Sequence, residues 1–252
     1  MLDCREQKTI EKLVENRQEY PFLKIRGIHY FSGTQKRSVS KIQKELEKLD
    51  VFLGELKEKY RFEPEELEYG PGLPVSYFDP SKEIGEEGLM EIVRTVEQMH
   101  FSGKITFEMG RAFAADCGYY LTKIMDVKSS DDKNYCITDG GIHHLNYDGQ
   151  IRGMYEPPME ILAKERQGEE KNWTICGSLC TVNDIMVQKL AITEPKPGDI
   201  LVFKRTGAYS SMEGMLLFLS HSLPKILLYN KEEGFRQIRK AYQTYKWNME
   251  EK

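Results

Sequence analysis

Hydrophobic and polar positions follow two different rhythms along this chain. In residues 39–59, Ile42, Leu46, Leu49, Leu53 and Leu56 recur at spacings of four, three, four and three. That period lines one face of a helix. Residues 9–17 carry Ile10, Leu13 and Val14 in the same way, and residues 86–99 carry Leu89, Ile92, Val93, Val96 and Met99. Between these helices lie short β-rich runs at 25–31, 66–69 and 104–107. Each ends in a polar tip that contains glycine: Ser32-Gly33-Thr34, Gly70-Pro71-Gly72 and Glu108-Met109-Gly110-Arg111. Strands separated by helices of this length pair in parallel through helical crossovers. Polar tips at the strand ends mark the active face of an α/β barrel. A closed barrel has eight such strands, and only three are found here. The expected fold of residues 1–111 is therefore an incomplete (β/α)8 barrel, its last three strands.

Beyond Arg111 the helical period gives way to short β runs at 119–127, 135–138, 173–176, 200–203 and 225–229. Turn chemistry separates them at 129–133, at Gly140-Gly141 and in the segment EPKPGDILVF. An antiparallel β-barrel or sandwich is expected over residues 112–252. Phe235, Ile238, Tyr242 and Tyr245 suggest a helix at its end. The fold class is thus α/β followed by all-β.

Composition narrows the function. The 252 residues are 40% hydrophobic and 30% charged, as in a globular protein with real cores. A net charge of −4 with interleaved signs argues against a nucleic-acid surface. Five cysteines without a CxxC pair point to free thiols in a reducing, cytoplasmic setting. The most apolar run, 215–229, is broken by Ser220, His221, Ser222, Pro224 and Lys225, so no membrane span is expected. His143 and His144 are neighbours in sequence; on a strand they would face opposite ways, and no metal site is expected from them.

The stretch KITFEMGR concentrates chemistry. It puts a carboxylate, Glu108, and a guanidinium, Arg111, at a strand tip between the two structural styles. Such a tip could hold a ligand with a cationic ring and an anionic phosphate. An intramolecular Glu–Arg ion pair is the plainer alternative.

Taken in order, GIHYFSGTQ, LEYGPGLPV, FEMGR, TDGGIHH, CGSLCTVND and RTGAYSS resemble the successive signatures of the fold-type III pyridoxal-phosphate decarboxylases. These are the diaminopimelate, ornithine and arginine decarboxylases and their relatives. The resemblance runs from about residue 20 to 230, the later part of a family member. It implies pyridoxal 5'-phosphate as cofactor, with Glu108 beside the pyridine nitrogen and Thr34, Gly70, Gly72 and Arg111 around the phosphate. Tyr209 would contact the cofactor. Cys180, with Asp184 nearby, would act catalytically on the substrate α-carbon in a site shared across a homodimer. Without the motif, Cys180 would read as a small buried apolar residue.

Some positions depart from the pattern. Pro71 replaces the middle glycine of a triplet and removes an N–H donor. Phe31 stands where many members stack a histidine on the ring, and His29 reads as structural. Thr181 stands where enzymes for diamino acids carry Asp or Glu. Together with GGIHH and residues 218–221, it implies a carrier-tethered or otherwise modified amino-acid substrate. No lysine matches the family's Schiff-base lysine, so the isolated chain is expected to be inactive. The resemblance leaves two identities: the C-terminal portion of a decarboxylase, or a non-catalytic homologue that binds a full-length partner through the dimer surface.

Overall fold

The computed structural model describes residues 4–130 and 132–250. They form two compact units, Met1–Phe113 and Ala114–Lys252.

In the first unit the strands β1 (Gly27–Phe31), β2 (Glu66–Gly70) and β3 (Lys104–Phe107) pair in parallel in the order β1-β2-β3. Three helices accompany them, α1 (Cys4–Glu15), α2 (Val39–Tyr60) and α3 (Glu86–Glu97). Helix α2 begins where the Ser38 hydroxyl accepts from the Lys41 N–H, which satisfies one of the free donors of its first turn. It ends at Arg61, whose φ of 51° is left-handed. Ile42, Leu46, Leu49, Leu53 and Leu56 are all buried on its inner face. They pack with Ile28, Tyr30, Leu67 and Tyr69 from β1 and β2. The opposite face of the sheet carries His29, Phe31 and Glu68, all exposed. Period-two alternation along β1 and β2 thus separates a dry face from a polar one. Helix α3 fits its sequence pattern less completely. Only Ile92 is buried there, while Leu89 and Val93 are 39% and 45% exposed.

The second unit contains a six-stranded sheet in the order β6-β9-β4-β5-β7-β8. Its strands are β4 (Tyr119–Ser130), β5 (Lys133–Thr138), β6 (Met159–Leu162), β7 (Glu170–Cys176), β8 (Ile185–Thr193) and β9 (Ile200–Lys204). The long β4 pairs with β9 through Tyr119–Lys123 and with β5 beyond Ile124. An irregularity between Ile124 and Asp126 marks the change of partner. The sheet is not wholly antiparallel, because β5 and β7 run parallel. Strands β6 and β8 had no clear sequence signal. Met159–Leu162 is only four residues long, and β8 interrupts its apolar run with Gln188 and Lys189.

The expected terminal helix is absent. Phe235 and Ile238 lie instead on β11 (Gly234–Arg239), paired antiparallel with β10 (Ile226–Asn230), and Thr244–Asn248 forms a 3-10 turn. The spacing of three between Phe235 and Ile238 suits a helix. The Asn230 side chain, however, accepts from the N–H groups of Glu232 and Glu233 and closes a hairpin. No helix among the described residues is long and apolar enough to cross a membrane.

Candidate functional site

Parallel pairing puts the tips of β1, β2 and β3 along one edge of the first sheet, with Phe31 beside Gly70 and Tyr69 beside Phe107. Polar tips that lie far apart in sequence therefore become neighbours. Thr34 is exposed on the loop after β1, and Gly70 closes β2. The Lys36 N–H donates to the Gly72 carbonyl over 2.9 Å, joining the two loops. Gly72 has a φ of +60°, and a Cβ there would run into the Gly33 carbonyl. Only glycine allows this approach without strain. Gln35, φ 56°, is a left-handed residue without that freedom, in the same loop.

Glu108 follows β3, and its N–H donates to the Tyr69 carbonyl at 3.0 Å. Its side chain is half exposed and faces His29, with 3.0 Å between Nε2 and Oε2. The ion pair expected as an alternative, Glu108 with Arg111, is not the contact made. Arg111 donates from Nη1 to the Tyr77 hydroxyl at 3.1 Å and lies 5.8 Å from that ring's centroid. His29, read from sequence as structural, is thus the partner of the candidate ring acid. Its position on the open face of β1, two residues before Phe31, was the available signal.

Behind the tips lies a polar cluster that the sequence did not announce. Lys36 Nζ is 2.6 Å from Glu45 of α2 and 2.9 Å from the Ser32 hydroxyl. Ser32 and the Tyr69 hydroxyl also donate to Glu45, at 2.8 and 3.0 Å. Burial pushes the Glu45 carboxyl up, but the bonds from Lys36, Ser32 and Tyr69 outweigh it and hold the group below its ordinary range. Tyr69 moves the other way, raised by burial and by the Glu45 charge.

These residues fit the phosphorylated pyridine that the sequence resemblance implies. A hydroxyl, a guanidinium and a glycine-lined loop too tight for side chains suit a phosphate. A half-exposed carboxylate suits a ring nitrogen, and the open aromatic face of Phe31, against Gly70, suits stacking.

In the second unit three loops meet. Asp184 is 2% exposed; its Oδ1 accepts from the Ile142 N–H at 2.9 Å and its Oδ2 from the Leu179 N–H at 2.8 Å. It therefore clamps the GGIHH turn to the CGSLC loop. A Cβ on Gly141 would lie 2.5 Å from its Oδ1, which explains the glycine. Burial raises the Asp184 carboxyl, and the two N–H donors oppose the rise. Cys180, on the clamped loop, is exposed; it is not the buried apolar residue of the alternative reading. The third loop carries Tyr209, 47% exposed, and the Ser210 carbonyl accepts from Asn146 N–H at 2.8 Å.

His143 and His144 lie in a turn, not on a strand, and their rings are 3.8 Å apart instead of facing opposite ways. His144 is held between the Tyr120 hydroxyl and the Ser222 carbonyl, at 3.0 and 2.8 Å. His143 is 1% exposed with no hydrogen bond to either ring nitrogen, and burial pushes it down to about 3.

The site residues thus fall into two groups: Thr34, Gly70, Gly72, Glu108 and Arg111 in the first unit, and Cys180, Asp184 and Tyr209 in the second.

Comparison with known proteins adds an independent line. A family model described as "Pyridoxal-dependent decarboxylase, C-terminal sheet domain" matches residues 16–207. The chain is 30% identical over 235 residues to the L-glutamyl-[BtrI acyl-carrier protein] decarboxylase of Niallia circulans, covering 87% of this chain and 53% of that protein. It is 28% identical over 180 residues to the 2-[(L-alanin-3-ylcarbamoyl)methyl]-2-hydroxybutanedioate decarboxylase of Staphylococcus aureus, covering 68% and 44%. The chain spans about half the length of these curated relatives. Among solved structures, the diaminopimelate decarboxylase of Helicobacter pylori, complexed with L-lysine, shares its fold. The TM-score is 0.78 at 19% identity, covering 96% of this chain and 58% of that one.

Proposed function

Since the chain belongs to the pyridoxal-dependent decarboxylases by its match over residues 16–207, we propose that it is the C-terminal portion of an amino-acid decarboxylase of that family. Residues 1–111 would be the last three strands of the cofactor-binding barrel, and residues 112–252 the β-rich domain. The observation that carries this reading is the convergence of three strand tips on one sheet edge. That convergence sets Thr34, Gly70 and Gly72 at the ends of paired parallel strands and the Glu108–His29 pair beside them.

When bound, pyridoxal phosphate supplies an electron-withdrawing ring that takes up the electron pair left by departing CO2. The chain's own residues hold and tune it. Arg111, the Thr34 hydroxyl and the N–H groups around Gly70 and Gly72 bind the phosphate. Glu108 keeps a proton on the pyridine nitrogen, and His29 orients its carboxylate. Phe31 offers its face to the ring. Across a homodimer, the Cys180 thiol of the second unit would move a proton at the substrate α-carbon in the partner subunit's site, and the Tyr209 hydroxyl would contact the cofactor. Asp184 acts through the Cys180 loop, since both of its oxygens are taken by main-chain donors.

The substrate is a carrier-tethered or modified amino acid. Thr181 brings no carboxylate for a distal ammonium, and the Niallia circulans relative is named for an acyl-carrier-bound substrate. Efficient turnover of free diaminopimelate by the complete enzyme would overturn that assignment.

No lysine among these 252 residues matches the family's Schiff-base lysine, so on this reading the isolated chain is inactive and binds cofactor reversibly. Incubation with pyridoxal phosphate followed by borohydride should leave no single lysine modified at one equivalent per chain. Mass spectrometry that finds one such lysine sinks this part. The second reading, a non-catalytic homologue bound to a full-length partner, draws on the exposed apolar ribbon β10–β11. Under it, Glu108→Gln would leave the function of the complex unchanged; under the first it lowers decarboxylation by orders of magnitude.

A further inference from the structure

The proposed cradle has lost one donor to Pro71, yet a cation stands against its loops that no phosphate-binding motif of the chain accounts for. Lys36 lies two residues beyond Thr34, with its side chain only 14% exposed. Its Cε is 3.0 Å from where a Gly72 Cβ would stand, and its main-chain N–H donates to the Gly72 carbonyl. The ammonium therefore belongs to the wall that the β1 and β2 loops build together. Glu45, 17% exposed, is its counter-charge, and Ser32 and Tyr69 complete the hydrogen bonding of both. A largely enclosed ion pair is a costly way to brace two loops, because both charges lose much of their water. Apolar residues would brace them as well. The cost is explained if the positive charge is used.

We propose that Lys36 is a second cation of the phosphate cradle, held at its wall by Glu45 and supplying charge to the cofactor's phosphate alongside Arg111. This rests on the cofactor reading above. Glu45 keeps the ammonium compensated and in position before the anion enters. When a dianion arrives, Lys36 is shared between the carboxylate and the phosphate, and the Ser32 and Tyr69 hydroxyls keep Glu45 satisfied.

Binding of pyridoxine 5'-phosphate and of pyridoxine to the 252-residue chain separates charge from bracing. Neither ligand has an aldehyde, so surface lysines do not capture it. Titration calorimetry should show Lys36→Met weakening pyridoxine 5'-phosphate at least tenfold while pyridoxine changes less than twofold. Lys36→Arg should retain phosphate affinity within about threefold. Glu45→Gln should keep or raise it, because the ammonium is then less neutralised. The dependence of affinity on salt should be shallower for Lys36→Met than for the parent chain. Unchanged binding of pyridoxine 5'-phosphate by Lys36→Met would overturn the proposal. So would parallel losses for both ligands and for Glu45→Gln, which is the behaviour of a brace. Should Lys36→Met fail to fold, Lys36→Arg and Glu45→Gln decide by the same criteria. If the parent chain binds neither ligand, the cofactor reading fails, and this proposal with it; parent binding with no effect at Lys36 overturns this proposal alone.

Discussion

Gly72 shows how much can rest on one residue. With φ at +60° and the Gly33 carbonyl where a Cβ would go, Gly72→Ala meets both backbone strain and a main-chain clash. The expected loss is about 1–3 kcal/mol in denaturant unfolding, with weaker binding of pyridoxine 5'-phosphate. His143 makes a different statement, about pH. Burial lowers its pKa from 6.5 to about 3. Below pH 6.5 the unfolded chain takes up a proton there that the folded chain refuses. Its contribution is therefore intact above pH 6.5 and is lost as the pH falls toward 3, amounting to roughly 4 kcal/mol at the lower end. His143→Leu should move the acid-unfolding midpoint to lower pH, as followed by circular dichroism. An unmoved midpoint would mean that His143 takes up its proton while folded. Residue identities such as Glu108, Arg111 and the glycines of the tips are legible in the sequence because their chemistry is local. Their partners are not. His29 meets Glu108 across 79 positions, and Arg111 meets Tyr77 across 34.

At the scale of elements, periodicity predicts helix α2 well because a long stripe of five aliphatic residues has one way to be buried. The same helix contains Gly54, whose Cβ position has no atom within 4 Å. Gly54→Ala should therefore stabilise the first unit by about 0.5–1 kcal/mol in denaturant melts, through helix propensity alone. A destabilised variant would mean that α2 contacts something at that point. Strand β11 shows the limit of periodicity. Two apolar residues three apart suit a helix, yet the Asn230 turn and pairing with Ile226–Asn230 make a strand. Strand β8 escapes a periodic pattern for a related reason. Its Gln188 accepts from Thr174 on β7 through its carbonyl and donates from its side chain to the Arg152 carbonyl, so its polar positions are used in packing between segments.

For the whole molecule, the exposed apolar surface is the main prediction. Ile226, Leu227, Leu228 and Tyr229 are consecutive and all at least 36% exposed, and Phe235 opposite them is 75% exposed. A two-stranded ribbon of this kind is marginal in water unless something covers it. Self-association of the chain, as expected for a homodimer, would provide such a cover. Sedimentation at micromolar concentration should give more than the monomer mass, and Leu228→Lys with Phe235→Lys should shift it toward monomer. A folded chain that stays strictly monomeric would remove both the dimer and the site shared across it.

The sequence alone determined the alternation of strand and helix up to Arg111, the change to β structure after it, and the residue types of the candidate phosphate and ring-nitrogen site. These follow from periodicity and from motifs a few residues long, which the covalent chain keeps together. Only the tertiary structure decided which groups meet. Parallel pairing brought the tips of β1, β2 and β3 to one edge, and packing of α2 beneath them placed Glu45 against Lys36. Folding of loop on loop made Asp184 a clamp between Ile142 and Leu179. Contacts of this kind join residues through space at a cost in chain entropy that only the assembled core offsets, and no local pattern in the sequence encodes them.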